Sequence, residues 1–547
     1  MSESWPQPDH RTPLRRWLLI AALPLALQLV VQAPVEPVFN GDSNRHVMTS
    51  VFFRDFLTDL PLGHPKQYAE QYYEQYPALG LLIWPPLFHG VVGALMTVFG
   101  TSVWVPRGFV LATFGLAVFC LHQISRRRMS ADQSALVTVV FSAMPMVFLY
   151  SRHVMLEMPT LALCLLSVDR VDVWLRTQRL RNLYAAAVVA ALAALTRFDA
   201  VMLLPTLVLL AVFEGHWKRL LNRHVPLAAT VALIVLGPTY YVIWREMGDL
   251  HLRQAAESVS GTTSQILASG SLWFYPSKIP EQAGWAVAGL MIPGLIVAFR
   301  KQHRGAAGVF AALLIGTYLT FTPLAELRSR HAIYWLPALA YFSVLGAGVL
   351  STRMASVVRK PAAGGSLLPV AILLALTAVA TLKESVFCVT GYAQAATVIL
   401  DQTSPGDTVF VDGWWDGNLT YQLRHHDPGR SRRVVRADRI LYDFTNVPTV
   451  DFRQYVSSDC EILQAIADVA PASIVFEDPQ PFGRIEISEQ MRRLIMTTPE
   501  LFPLRKVVPV SSTVPQARSF VLRIFDVDLV RLHAHIQHLN TVAKASP

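Results

Sequence analysis

Charged residues are scarce in this chain. Only 16% of its 547 residues are charged, whereas 53% are hydrophobic. Soluble globular domains carry charge at about a quarter of their positions, so this composition excludes an ordinary soluble protein. At about 20 residues per membrane-spanning helix, the apolar runs are sufficient for roughly ten or more spans.

Cysteine and nucleotide-binding motifs are also scarce. The four cysteines are scattered, with no CxxC and no Cys/His spacing, which argues against a zinc site; a Cys388–Cys460 disulfide has no specific support. There is no GxGxxG and no P-loop. The net charge is +9, but the basic residues lie between apolar runs instead of clustering on one soluble module. We therefore predict no metal, no cofactor and no nucleic-acid partner.

The apolar runs predict about eleven transmembrane helices. They lie at about 17–33, 105–125, 131–150, 158–175, 182–196, 200–213, 225–244, 282–299, 305–323, 332–350 and 367–384. The apolar stretch Leu79–Phe99 is interpreted as an interfacial or re-entrant helix. Every second connection then carries three basic residues, which places the N-terminus in the cytoplasm and everything after about residue 385 outside.

Two regions follow from this topology. Residues 1–384 form the predicted transmembrane domain, with a long first outer loop at 35–104. Residues 385–547 alternate short apolar strands with helical stretches, which predicts a small extracytoplasmic α/β domain. The predicted fold class is therefore a polytopic α-helical membrane protein with a small C-terminal α/β soluble domain.

Two charged residues follow directly after the first apolar segment. Asp42 and Arg45 lie three residues apart, a spacing that puts them on one face of a helix. A carboxylate can accept a proton from an attacking hydroxyl, and a guanidinium can hold a phosphate by two hydrogen bonds. At a membrane surface this pair suggests chemistry on a lipid-linked phosphate. The simpler interpretation, that Asp42 or Ser43 caps an amphipathic helix at Asn44–Leu60, is compatible with it.

The other predicted outer connections carry few charges. Ionisable groups at membrane boundaries are costly unless they are solvated, paired or functional. Each arginine taken singly fits an interfacial side chain that reaches towards the headgroups, and Asp199 fits a partner of Arg197. As a group on the translocated side they oppose the positive-inside bias, which favours a functional role. They are Arg152, Glu157, Arg197, Asp199, Glu326, Arg328 and Arg330.

Several short segments, in this order, resemble a known group. They are Asp42 in the first outer loop, Trp84-Pro85-Pro86-Leu87, the segment 151–159 (SRHVMLEMP), Leu195-Thr196-Arg197 and Arg328-Ser329-Arg330-His331. Together they resemble the GT-C membrane glycosyltransferases, in the branch of the protein O-mannosyltransferases and the lipid A aminoarabinose transferases. The resemblance covers roughly residues 17–350.

The resemblance implies an inverting glycosyltransferase that works on the outer face, needs no metal and uses a polyprenyl-phosphate-linked sugar as donor. The acceptor would be a lipid, a glycan or a protein. By position, Asp42 matches the catalytic base, and Glu157 falls where the family often has an acid. Donor phosphate binding is implied for Arg45, Arg197 and Arg330, with Arg152 and Arg328 in reserve.

Two departures from the family pattern concern the substrates. Ser43 stands where the family often has a second acid, and Trp84 stands where a lysine often precedes the Pro-Pro element. Tyr76 and Trp84 are candidates for stacking on the sugar, although aromatic residues are equally expected at the headgroup level. The expected location is a bacterial plasma membrane.

Two other functions fit the composition. A secondary transporter or lipid-sugar flippase would place ionisable groups near the bilayer midplane, whereas here they lie at one boundary. A sensor or scaffold would use the outer domain to bind a ligand, for which about eleven spans are an excessive anchor.

Overall fold

The computed structural model describes residues 42–248, 271–300, 304–324, 327–357, 368–383, 388–445, 451–481, 485–514, 517 and 519–545. The predicted first span and Glu326 lie outside these residues. The elements, in chain order, are α1 (Asp42–Asp59), α2 (Pro65–Gln75), α3 (Leu87–Phe99), α4 (Trp104–Arg126), α5 (Ala131–Ser142), α6 (Pro145–Tyr150), α7 (Glu157–Thr177), α8 (Leu180–Thr196), a 3-10 turn (Phe198–Met202), α9 (Leu203–Phe213), a 3-10 turn (Trp217–Leu221), α10 (His224–Met247), α11 (Ser271–Ala283), α12 (Trp285–Ala298), α13 (Arg304–Phe321), a 3-10 helix (Ser329–Trp335), α14 (Leu336–Val357), α15 (Leu368–Lys383), β1 (Val389–Thr390), α16 (Tyr392–Leu400), β2 (Thr408–Asp412), α17 (Asp416–His426), β3 (Arg433–Arg436), α18 (Ala437–Ile440), β4 (Tyr442–Thr445), β5 (Asp451–Gln454), α19 (Asp459–Val469), β6 (Ser473–Asp478), α20 (Glu486–Thr497), β7 (Leu504–Ser512), β8 (Ser519–Asp526) and α21 (Leu529–Ala545).

The chain divides into two compact units. The helical unit contains the described residues of Leu82–Phe88 and Arg107–Glu384. The mixed unit contains the described residues of Pro34–Leu81, His89–Pro106 and Ser385–Pro547. Most of the first loop thus groups with the C-terminal segment, and each unit is described below by itself.

Each predicted span after the first corresponds to a helix of the helical unit. Several of them are interrupted or preceded by short turns. Pro145 begins α6 and breaks the span predicted at 131–150, because proline has no N–H to continue the helix. Gly284, at φ 89°, separates α11 from α12, and the two helices are bent by 120° at this point.

Fewer helices are long enough to cross a membrane than the hydropathy of the sequence predicts. Within the described residues, three single helices are long and apolar enough to cross a membrane, α4, α10 and Ser329–Arg353, and the bent pair at Gly284 makes a fourth candidate. The other apolar helices have 10–17 residues. Among them, α3 has 13 residues and extends about 20 Å, less than the ~30 Å hydrocarbon core.

Close helix pairing organises part of the helical unit. A Cβ at Gly294 of α12 would overlap the backbone carbonyl oxygen of Phe342 in α14, and one at Gly346 would overlap the carbonyl oxygen of Leu290. The two backbones are therefore in direct contact. Small residues permit this close approach of helices in apolar surroundings.

The mixed unit contains a six-stranded sheet in the order β1-β7-β8-β6-β2-β3. Strand β2 pairs in parallel with both β3 and β6, whereas β8 pairs antiparallel with β6 and β7. Its apolar core includes Phe410, Ile474 and Phe525 from the strands and Ile462 and Met491 from the helices. Alternating strands and helices thus form the predicted α/β architecture at the C-terminus.

Helix α1 is more buried than the sequence predicts. The stretch was expected to be amphipathic, but nearly all side chains from Ser43 to Phe52 are buried. Asp55 of this helix is fully buried and accepts hydrogen bonds from Arg424 of α17, from Nη2 at 2.7–2.8 Å and from Nε at 3.1 Å. Tyr72 donates to the same carboxylate at 2.7 Å. This buried, hydrogen-bonded pair fixes α1 against α17 within the mixed unit.

Candidate functional site

The predicted site residues lie in both units. Glu157, Arg152, Arg197, Arg328, Arg330 and Trp84 belong to the helical unit, and Asp42, Arg45 and Tyr76 belong to the mixed unit. The helical unit brings Glu157, Arg197 and Arg330 together. The mixed unit keeps Asp42 and Arg45 in the first turn of α1.

Glu157 and Arg197 form the centre of an ionic cluster. Glu157 begins α7, and Arg197 follows α8 in an extended conformation (φ −158°, ψ 140°) that ends the helix. Arg197 Nη1 donates to Glu157 Oε1 at 2.8 Å, and Arg197 Nε donates to Asp199 Oδ2 at 2.6 Å. The two carboxylates of this buried cluster thus share one guanidinium, and the predicted pairing of Arg197 with Asp199 is present.

Arg330 joins the cluster from a different segment. Its Nε lies 3.8 Å from Glu157 Oε1, and its side chain is 18% exposed, against 8% for Arg197. The 3-10 helix that carries it is held by Gln282, which donates to the carbonyl of Ser329 at 2.9 Å and accepts from Trp335 Nε1 at 2.8 Å. Arg330 is therefore placed beside Glu157 with part of its guanidinium accessible.

A second polar atom of Glu157 has no partner of its own. Within the described part of the chain, no hydrogen-bond donor reaches Oε2 of this residue, although the side chain is buried. The hydroxyl of Tyr334, in the 3-10 helix with Arg330, is in the same situation. Buried groups of this kind are rare and are typical of positions that a ligand or an ordered water completes.

The two reserve arginines occupy different environments. The guanidinium of Arg152 lies over the ring of Phe148, 3.7 Å from its centroid, and the residue is buried. Arg328 is exposed at the start of the segment that leads into the 3-10 helix. Of the two, Arg328 is the one that solvent reaches.

Asp42 and Arg45 are both partly buried in the first turn of α1. An acid in this turn interacts favourably with the helix dipole, as the simpler interpretation requires. Ser43 and Asn44, between them in sequence, are buried at 0% and 3% exposure. The helix begins at Asp42, two residues before the predicted Asn44, and its first turn has charged side chains at Asp42 and Arg45 with two neutral polar residues between them.

The two aromatic candidates differ. Tyr76 is 1% exposed and packs against the ring of Tyr72, with centroids 5.4 Å apart, so neither face of its ring is open to a substrate. A stacking role for Tyr76 would therefore require its ring to become accessible. Trp84 is partly exposed in the helical unit.

A polar cluster in the mixed unit was missed by reasoning on the sequence. Asp416 begins α17, and its Oδ2 lies 2.7 Å from Arg436 Nε; Arg436 also pairs with Asp438. Burial raises the pKa of Asp416, with Asp438 acting in the same direction, while Arg436 and Arg45 act against it. Arg45 is therefore electrostatically coupled to an acid more than 350 positions later in the chain. An Asp opening a helix after Trp414-Trp415 was the only signal available in the sequence.

The loop before α17 is anchored by a buried acid. Glu477, at the end of β6, accepts hydrogen bonds from the backbone N–H of Trp414 at 2.8 Å and of Trp415 at 2.9 Å, and from the Tyr392 hydroxyl at 2.6 Å. Burial raises the pKa of Glu477 to about 7, although these three donors lower it. A Cβ at Gly413 would clash with this carboxylate. The anchor holds the N-terminus of α17 in place.

Histidine and cysteine show no metal arrangement in the described residues. No group of three His, Cys, Asp or Glu side chains there is placed to hold a metal ion. His46 and His89 contact each other, with 3.1 Å between Nδ1 and Nε2, inside the mixed unit. In the described part of the chain, Cys388 and Cys460 are not joined by a disulfide.

The chain is similar to one family model and, in its fold, to several solved structures. Residues 84–244 match the family model described as dolichyl-phosphate-mannose-protein mannosyltransferase. ArnT from Cupriavidus metallidurans bound to undecaprenyl phosphate superposes with a TM-score of 0.62 at 15% identity, covering 95% of this chain and 99% of that one. The apo form of ArnT gives 0.60 at 14% identity, with 94% and 98% covered.

A more distant structure has the same fold. The apo oligosaccharyltransferase from Archaeoglobus fulgidus gives a TM-score of 0.53 at 11% identity, covering 84% of this chain and 69% of that one. No curated protein sequence matches significantly. The predicted resemblance to the GT-C membrane glycosyltransferases is confirmed, and at these identities the solved structures establish the fold.

Proposed function

We propose that this protein is an integral-membrane, inverting glycosyltransferase that moves a sugar from a polyprenyl-phosphate donor to an acceptor on the outer face of a bacterial plasma membrane. The observation that carries the proposal is the Glu157–Arg197–Arg330 cluster, in a chain with the ArnT fold. That relative was solved with undecaprenyl phosphate bound. The acceptor is a lipid, a glycan or a protein.

The reaction displaces a polyprenyl phosphate from the anomeric carbon of the sugar. Cations must stabilise the charge that develops on the leaving phosphate. In the proposal Arg330 supplies this charge, because it is partly exposed, and Arg328 and Arg45 assist it. Glu157 orients Arg330, while Arg197 compensates the carboxylates of Glu157 and Asp199.

The acceptor hydroxyl must lose a proton as it attacks. Asp42 is the proposed general base, a role that a positioned carboxylate performs with a rate gain of about 10²–10⁴-fold. The bond between the anomeric carbon and the phosphate oxygen breaks as the bond to the acceptor oxygen forms on the opposite face. The products are an inverted glycoside and free polyprenyl phosphate.

The test is a transfer assay with purified protein in lipid nanodiscs and a panel of polyprenyl-phosphate sugars and acceptors. We expect Asp42→Asn to fold as the wild type does and to lose about 10²–10⁴-fold in turnover. Asp59→Asn, at the other end of the same helix, is the matched control, because Asp59 forms a partly exposed ion pair with Arg430 and accepts a hydrogen bond from Tyr68, contacts that contribute little to stability.

Two results would contradict the proposal. Equal turnover of Asp42→Asn and wild type would remove Asp42 from the mechanism. Movement of labelled polyprenyl-phosphate sugar across proteoliposomes without transfer to any acceptor would indicate a flippase instead of a glycosyltransferase.

A further inference from the structure

Two helix N-termini from distant parts of the chain meet inside the mixed unit. Helix α1 begins with Asp42, and α17 begins with Asp416. A Cβ at Gly417 would lie only 2.6–2.7 Å from the side-chain atoms of Asn44, so the amide of Asn44 packs directly on the backbone of α17. Only glycine leaves room for this contact, and the two first turns are therefore neighbours.

These first turns contain buried polar groups that lack partners. Within the described residues, Ser43 Oγ, Asn44 Oδ1 and both Oδ1 and Nδ2 of Asn418 have no hydrogen bond. The three residues are 0%, 3% and 3% exposed. A buried polar atom without a partner destabilises a fold, and four such atoms in two neighbouring first turns are exceptional. Asp42 and Arg45 of the same turn are partly exposed, so solvent reaches the edge of this junction.

The charges at the junction indicate the chemistry of the missing partner. The two first turns and their neighbours contain three carboxylates (Asp42, Asp416, Asp438) and two guanidiniums (Arg45, Arg436). Of these, Arg436 is already paired with Asp416 and Asp438. The guanidinium of Arg436 is therefore already satisfied by carboxylates of this chain. Unpartnered amide and hydroxyl groups offer both donors and acceptors, which matches the hydroxyl groups of a neutral sugar.

We propose that Ser43, Asn44 and Asn418 form a sugar-binding subsite at the junction of α1 and α17, so that the C-terminal domain takes part in recognising the glycosyl group. This inference rests on the proposed function, because it assigns the sugar of the same donor. The three residues bind the sugar hydroxyls, and the Asp55–Arg424 pair and Glu477 position the two helices that carry them.

The experiment compares equilibrium binding of two probes to the full-length protein in nanodiscs. The probes are undecaprenyl phosphate and a panel of its hexosyl and pentosyl derivatives. Loss of one neutral hydrogen bond weakens binding by about three- to tenfold. We therefore expect Asn418→Leu to lose about tenfold or more in affinity for the preferred sugar-bearing lipid, because it loses two such groups, while affinity for the bare lipid stays unchanged.

The Tm of the variant provides a second measurement. If Asn418 only stabilised the fold, its substitution would lower the Tm, whereas the subsite predicts no loss. Leucine has a similar size and removes two buried atoms without partners, so we expect the Tm of Asn418→Leu to equal or exceed that of the wild type. Ser43→Ala is a smaller second variant with the same expected selectivity. His426→Ala, exposed at the far end of α17, is the control and should alter neither binding nor Tm.

The outcomes separate this inference from the proposed function. Loss of binding to both probes alike, no loss to either, or a wild type that does not prefer any sugar-bearing lipid over the bare one would overturn the subsite. Selective binding that Asn418→Leu abolishes, in a protein that transfers no sugar, would support the subsite and contradict the glycosyltransferase proposal.

Discussion

At the scale of single residues, the five candidate arginines prove to be different from one another. Arg197 is buried and bonded to two carboxylates, Arg152 lies on a phenylalanine ring, and Arg330 is paired loosely and partly exposed. The sequence places all of them at one predicted boundary. It does not distinguish them, because burial and pairing depend on tertiary contacts, such as those of Glu157 with Arg197 and with Arg330.

This difference predicts contrasting effects of the same substitution. Arg197→Gln leaves the buried Glu157 and the partly buried Asp199 without their shared cation, and the unpaired buried carboxylate of Glu157 should destabilise the protein by about 3–5 kcal/mol. Arg330→Gln removes a partly exposed cation and should keep the fold while weakening donor use in the transfer assay. Thermal unfolding in detergent and the KM for the donor measure the two effects.

A double variant provides the control for Arg197. Glu157→Gln removes one of the two carboxylates that Arg197 compensates, so the pair Arg197→Gln with Glu157→Gln should be more stable than additivity of the single variants predicts. Strict additivity of the two changes in unfolding free energy would mean that the ion pair seen in the structure does not contribute.

At the scale of elements, the pattern of apolar residues predicted most helices and the main strands of the C-terminal domain. It predicted them because burial on one or more sides leaves a periodic or continuous apolar signature. Helix α17 was missed, since its buried face contains Asp416, Asn418 and Arg424, whose partners lie on the first loop. The grouping of that loop with the C-terminal residues was missed for the same reason.

The contact of α12 with α14 predicts which glycines tolerate a methyl group. Gly346→Ala would drive a Cβ into the backbone carbonyl of Leu290, and such overpacking costs typically about 1–3 kcal/mol. Gly348→Ala, two residues further along α14, meets nothing within 4 Å and should leave stability equal or slightly higher. Thermal unfolding of the two variants side by side measures the difference.

The pair is informative because both substitutions add the same atom to the same helix. Equal Tm values for Gly346→Ala and Gly348→Ala would contradict the backbone contact between α12 and α14. A lower Tm for Gly348→Ala alone would reverse the assignment of the packed face.

At the scale of the whole molecule, helix α7 separates two ionic clusters. Glu157 at its start joins Arg197 and Arg330, while Asp169 and Asp172 near its end pair with Arg127 and Arg128, and Arg128 and Arg176 also pair with Glu214. The clusters lie about 20 Å apart along the helix axis at ~1.5 Å per residue. The basic residues of the second cluster are among those that the positive-inside rule assigns to the cytoplasm.

This separation predicts the orientation of the chain in the membrane. Thr177→Cys, exposed at the end of α7, should react with a membrane-impermeant maleimide only after the membrane is opened. Ala534→Cys, exposed in α21 of the C-terminal domain, should react in intact spheroplasts. Both variants are made in a chain with Cys388→Ser and Cys460→Ser, because these two native thiols are partly exposed, whereas Cys120 and Cys164 are buried. Labelling of Thr177→Cys from the outside together with protection of Ala534→Cys would invert the topology and would place the Glu157 cluster on the cytoplasmic face, where the proposed outer-face transfer would fail.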